Sequence, residues 1–145
     1  MKYNALDISK YFLGLASTID ENDLTNLKLQ KLLYFAQGKY LAKKNKRLFD
    51  EEIEAWDLGP VIRSVYDTFK VCGRFPITLF DVKCDFKQID SDTKIFLNKI
   101  WSEYGKFSAK FLVDETHKKG SPWYKAYQSS KKIVSDESLK SYFRD

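Results

Sequence analysis

The sequence predicts a mainly α protein, a single compact helical domain (1–145) of about six to seven helices. A short extended or small β element is expected between the second and third helices. Three observations carry that expectation. Apolar residues recur at helical spacing through most of the chain. The longest such run, Leu27 to Leu41, is followed by Ile53-Glu54-Ala55-Trp56 and a Gly59-Pro60 turn, which interrupt the helical period. The 145 residues suffice for one core without metal or disulfide support, and no repeat, low-complexity tract or linker divides them.

Leu6 to Thr18 forms the first predicted helix, with Ile8, Phe12, Leu15 and Ile19 near one face. The polar run Asp20-Glu21-Asn22-Asp23 breaks it. Thr25 or Asn26 is placed to cap a second helix extending to about Lys44. Leu29, Leu32, Leu33, Ala36 and Tyr40 give that helix one buried face. Gly38 costs it about 1 kcal/mol of propensity against Ala, which points to close approach of another helix there. Leu48 to Trp56 reads as a loop and a short strand. Pro60 has no amide hydrogen and a preset φ, so it suits the first turn of a third helix that runs to Cys72 and stops at Gly73. Arg74 to Cys84 alternates imperfectly and is expected to be irregular, with a short strand pairing near Ile53 to Trp56.

Asp90 or Ser91 caps a fourth helix with Ile95, Phe96, Leu97, Ile100, Trp101 and Tyr104 on a wide apolar face, ending at Gly105. Ser108 caps a fifth, with Ala109, Leu112, Val113 and Thr116 in register. Ser121-Pro122 starts a sixth that carries Trp123, Ala126 and Tyr127. Ser135, with Asp136 and Glu137 in the first turn, opens a last helix pinned by Leu139, Tyr142 and Phe143.

A net charge of +5 permits contact with nucleic acid without requiring it, because the cations are scattered among twenty acidic residues. The one dense basic cluster is Lys43, Lys44, Lys46 and Arg47. It is short, lacks interleaved aromatics and sits at a helix end, where cations favour the dipole. Nucleic acid is therefore not the expected partner, and this cluster is the alternative site if it is one. Cys72 and Cys84 lack the short separation of structural zinc ligands and read as buried free thiols of a reducing, cytoplasmic compartment. No segment approaches membrane-spanning length and no secretory leader pattern opens the chain.

His117 is the sole histidine and follows Asp114 and Glu115 at a predicted helix end. No nucleophile motif accompanies it, so a partly cationic side chain at a helix C-terminus is favoured over a general base. Walker and Rossmann sequences are absent. No catalytic residue, metal or cofactor is expected. Trp101 is expected in the core, on the apolar face of the fourth helix. Trp56 and Trp123 each lie beside a chain break, where they either lock helix starts into the core or border a groove that receives a partner.

Leu29-Gln30-Lys31-Leu32-Leu33-Tyr34-Phe35-Ala36-Gln37-Gly38, Leu48-Phe49, Ala55-Trp56 and Gly59-Pro60-Val61 to Tyr66 form one ordered set. Trp101, Tyr104-Gly105, Leu112 to His117, Pro122-Trp123 and Ala126-Tyr127 continue it across nearly the whole chain. In order and spacing this set resembles the Panacea domain, the SocA/GepA-like antitoxin domain of bacterial and phage toxin–antitoxin systems. The resemblance implies a non-catalytic antitoxin that neutralises a cognate protein toxin by direct binding, or as an adaptor that delivers it to a cellular protease. The alternative is a phage or prophage regulatory protein that binds nucleic acid or a host factor. Trp56, Asp57, Gly59, Pro60, Tyr66, His117 and Trp123 are the partner-binding candidates.

Overall fold

The structure is a computed structural model that describes residues 3–19, 21–78 and 89–144. In chain order these residues form α1 (Ala5–Ala16), α2 (Asn26–Lys44), β1 (Glu54–Trp56), β2 (Gly59–Val61), α3 (Arg63–Phe69), a 3₁₀ turn (Lys70–Cys72), α4 (Ser91–Tyr104), α5 (Ala109–Thr116), α6 (Pro122–Gln128) and α7 (Asp136–Phe143). The fold is thus the mainly helical one expected, with a two-stranded antiparallel sheet between the second and third helices.

Capping chemistry sets most helix starts. The side chains of Asn4, Thr25, Asp90, Ser108, Ser121 and Ser135 each accept from an amide of the first turn they precede. Each replaces water for an otherwise orphaned donor, worth about 1 kcal/mol. Asn45, in a left-handed conformation, closes α2.

Helix α2 is central rather than one-sided. Fourteen of its nineteen residues are buried, because α1, α3, α4, α5, α7 and β2 all pack on it. The single apolar stripe expected there is therefore an underestimate: Lys28, Gln30, Lys31 and Gln37 are buried too. Leu29, Leu32 and Leu33 are fully enclosed, each contributing about 1.5–3 kcal/mol of transfer free energy. Gly38 behaves as expected. A Cβ there would overlap the ring of Phe143, so the absent side chain is what lets α7 lie against α2.

The buried amides of α2 latch the loops. Gln37 Oε1 accepts from the amides of Leu48 (2.8 Å) and Phe49 (3.3 Å), and its Nε2 donates to the Phe49 carbonyl (2.8 Å). Gln30 Oε1 accepts from the Ile62 amide at 2.8 Å, its Nε2 donates to Asn26 Oδ1, and Asn26 donates on to the Tyr66 carbonyl.

Gly59-Pro60 is not the elbow of a helix. Trp56 pairs with Gly59, Ala55 with Pro60 and Glu54 with Val61, so Asp57 and Leu58 form the two-residue tip of a hairpin and helix α3 starts only at Arg63. A proline at a sheet edge forfeits no ladder bond, and Gly59 supplies a φ of +112°. The strand pairing expected for residues 74–84 falls partly on 79–84, which lie outside the described residues; 74–78 form no strand. The outer partner of β1 is the segment before α7, where the Ala55 amide donates to Lys132 O and the Val134 amide to Ile53 O, each at 2.8 Å.

Four further placements differ from expectation. Ile95 points to solvent, 67% exposed, so the apolar face of α4 is narrower than its sequence pattern. Trp101 is half-buried, stacked on Phe12, and Tyr142 is exposed. Cys72, at the end of the 3₁₀ turn, is only partly buried, and Cys84 lies outside the described residues.

Candidate functional site

The first half of α2, the hairpin and α3 enclose a cleft of about 750 Å³. Leu27, Trp56, Leu58, Val61 and Tyr66 supply apolar wall, and Lys70 and Arg74 stand at its margin. Leu58, at the hairpin tip, is 60% exposed. That size is in the range of sites that receive ligands or anchor side chains.

Trp56 and Tyr66 form one wall as an edge-to-face pair with centroids 5.0 Å apart. Arg63 lies over the Trp56 ring at 5.1 Å and forks onto Glu54, which also accepts from Trp56 Nε1 at 3.0 Å. The Arg63 guanidinium holds the Glu54 carboxyl below its ordinary range. Three side chains thereby fix the Trp56 rotamer on a strand only three residues long.

A second aromatic group supports the hairpin through α5 and α6. His117 caps α5 and stacks on Trp123 at 4.0 Å, and Trp123 stacks on Tyr127 at 4.7 Å. Trp123 Nε1 donates to the Trp56 carbonyl at 2.8 Å, and the Tyr127 hydroxyl donates to Asp57 Oδ1. The β1 side of the hairpin tip is thus tied to α6 at two adjacent residues.

Lys31 lies under β2. Its ammonium is completely buried and donates to the Pro60 carbonyl at 3.1 Å. Among the described residues no carboxylate pairs with it. Buried Lys28, three residues earlier, meets Asp23 at 2.8 Å and the Gly105 carbonyl at 2.6 Å. Burial pulls Lys31 from 10.5 down to about 7. A Cβ on Gly59 would come within 2.8 Å of Lys31 Cε and 2.9 Å of Thr116 Oγ1, so glycine is required twice over, by conformation and by space.

His117 is also pushed below its ordinary value, first by burial and then by Lys31, with Asp114 and the Asp57 backbone acting the other way. Its Nε2 is buried and, among the described residues, has no hydrogen-bond partner. The partly cationic helix-end role expected for it is corrected: the site favours neutral imidazole, because a second base stands nearby and solvent does not reach Nε2.

All seven candidate residues meet around the hairpin. Trp56, Asp57 and Tyr66 line the cleft, while Gly59, Pro60, His117 and the buried Trp123 stand outside its lining. Sequence reasoning did not single out Asn26, Gln30, Lys31, Leu58 or Tyr127 as site residues. Polar residues at the spacing of an otherwise apolar helix were the available signal for the first three. The basic cluster separates: Lys43, Lys44 and Lys46 are exposed, but Arg47 turns to Asp136 at 2.9 Å and to the Asp50 carbonyl at 2.8 Å. No helix among the described residues is long and apolar enough to cross a membrane.

Two comparisons with known proteins find matches. The family described as "Antitoxin SocA-like, Panacea domain" matches residues 29–124, from the buried face of α2 to the start of α6. Antitoxin SocA of Caulobacter vibrioides (strain NA1000 / CB15N) is 33% identical over 129 residues, covering 83% of this chain and 68% of that protein. No solved structure matches. With α2 from Leu29 onward, the hairpin, α3 and the Ser121-Pro122 start of α6 all inside the matched span, the chain belongs to the SocA-like Panacea-domain antitoxin family.

Proposed function

We propose that this protein is a non-catalytic antitoxin that neutralises a cognate protein toxin by binding it directly, with the hairpin cleft as the central contact. The observation that carries the reading is the apolar cleft beneath an exposed Leu58, built from the segment that the family match covers. Trp56, Asp57, Leu58 and Tyr66 make the contact, and Gly59, Pro60, His117 and Trp123 hold the hairpin in place. A stable complex buries about 800 Å² on each partner, so the toxin also covers surface beyond the cleft. Exposed Val71 and Phe75, which follow α3, are the apolar residues nearest in sequence to its Lys70 margin. Residues 1–145 act as one unit, since α7, outside the matched span, packs on α2.

The test is co-expression of the tagged chain with its adjacent reading frame. A neighbour that kills cells alone, is tolerated together with this chain and is recovered with it in stoichiometric amount supports sequestration. Survival with disappearance of the neighbour's product supports delivery to a protease instead. A harmless neighbour that does not co-purify overturns the reading. Leu58→Glu should weaken recovery by at least about tenfold with the melting temperature unchanged, and Tyr66→Ala by a similar factor with a stability loss of no more than about 1.5 kcal/mol from its ring pair with Trp56, as expected for anchors worth about 1.4 kcal/mol or more.

A further inference from the structure

A second concave surface lies at the other end of α2. Two adjoining depressions, about 520 and 330 Å³, share Lys43, Phe96 and Lys99 and so form one trough between the C-terminal half of α2 and α4. Lys43, Lys44 and Lys46 line it from the end of α2 and the turn beyond, Lys99 from α4, and Arg144 from the residue after α7. Among the described residues none of these five cations has an ion-pair partner, whereas Lys39 in the same trough is held by Glu103 at 2.7 Å.

The acidic residues that share the trough are largely committed. Asp90 accepts from the Tyr3 hydroxyl at 2.6 Å and from the amide and hydroxyl of Thr93, and Glu103 belongs to Lys39. Asp92, in the first turn of α4, is an exposed acid of the trough, as is Asp90. The aromatic side chains beneath, Tyr40 and Phe96, are under 10% exposed, and Ile95 is the one exposed large apolar side chain of the lining, so the surface offers mainly cations. A protein interface needs an apolar core, and a membrane surface favours a protruding apolar face. A line of unpaired cations along a groove instead fits a rod-shaped polyanion.

We propose that this trough binds the phosphate backbone of nucleic acid, without reading base sequence. Binding here is separate from the hairpin cleft, so the chain can engage both partners. The short cluster visible in the sequence understated this surface. Arg47 leaves it for Asp136, but Lys99 and Arg144 join from positions about fifty and a hundred residues away in the chain, an order-of-magnitude separation that only the fold removes.

The experiment is fluorescence anisotropy of the full chain with a fluorescein-labelled 20-base-pair duplex of arbitrary sequence. Five phosphate contacts predict a log–log salt slope of about −4.5, a loss of roughly 500-fold in affinity between 50 and 200 mM salt. The double variant Lys43→Glu/Lys99→Glu should weaken binding by more than about 50-fold at 50 mM salt. The charge-matched control Lys119→Glu/Lys125→Glu, on exposed positions outside the trough, should change it by less than about threefold. Both variants are checked for an unchanged melting curve. Absence of binding at 50 mM salt, or equal weakening by the two double variants, overturns the proposal. Displacement of the duplex by polyglutamate at equal charge concentration also overturns it, since the surface would then recognise acidic protein.

Discussion

Replacing Lys31 by Met tests how the hairpin is held. Folding moves this ammonium out of water with one backbone carbonyl as its acceptor, which draws it from 10.5 to about 7. A displacement of that size corresponds to about 5 kcal/mol of differential stabilisation, at 1.36 kcal/mol per unit. Because the folded value is the lower one, the unfolded chain binds more protons between pH 7 and 10.5. Stability contributed by this group therefore rises with pH through that window and is lowest below it. Methionine fills a similar volume without charge, but leaves the Pro60 carbonyl without its donor, a cost of about 1–3 kcal/mol. The variant should accordingly be about 2–4 kcal/mol more stable than wild type at pH 7. That advantage should shrink by about 2–3 kcal/mol at pH 9, since the slope approaches 1.36 kcal/mol per pH unit. Urea unfolding followed by tryptophan fluorescence at pH 7, 8 and 9 measures both, and the window stops short of the tyrosines that burial raises. A wild-type-minus-variant difference that stays flat with pH, or a variant less stable at pH 7, would refute the account of an unpaired buried amine.

The same variant should move His117: with Lys31 gone, the imidazole titrates higher, and NMR of its ring protons reads the change directly. Gly59→Ala should cost roughly 2–4 kcal/mol in urea melts, since it meets both the +112° φ and the Lys31 side chain; a loss under about 1 kcal/mol would mean the hairpin relaxes freely. Gly38→Ala should be comparably damaging through its overlap with Phe143, and Phe143→Ala should make the glycine substitution nearly silent, a coupling that a double-mutant cycle measures. Gln37→Leu leaves three buried backbone groups at Leu48 and Phe49 unsatisfied and should cost about 3 kcal/mol or more.

Helix starts were legible in the sequence because a cap is local chemistry: Ser108, Ser121 and Ser135 each sit one residue before the first turn that they bond. Gly38 was legible for a similar reason, since a glycine inside a strong helical run has little local justification. Pro60 was misread because two states share its local preferences. A preset φ and a missing donor suit a helix start and a sheet edge equally. Gln30 and Lys31, which take the Ile62 amide and the Pro60 carbonyl, decide for the edge from some thirty residues away. Burial around the whole of α2 was hidden for a related reason, since five buried polar residues blur its apolar pattern while each finds a partner in a loop, a strand or a neighbouring helix. At the site, the positions beside chain breaks stood out, and the groups beneath them did not.

The outer edge of β1 has a consequence for motion. The Ala55 amide is bonded to Lys132 O, and α7 begins at Asp136, a few residues on. Undocking α7 from Gly38 pulls on the same segment that protects that amide. Hydrogen exchange at Ala55 thus reports two openings, a peeling of the C-terminal helix from one side and a loosening of the Asp57–Leu58 tip from the other. An occupied cleft damps the second opening and not the first, so slowed exchange at Ala55 with unchanged exchange along α7 is the signature of a partner seated on the hairpin.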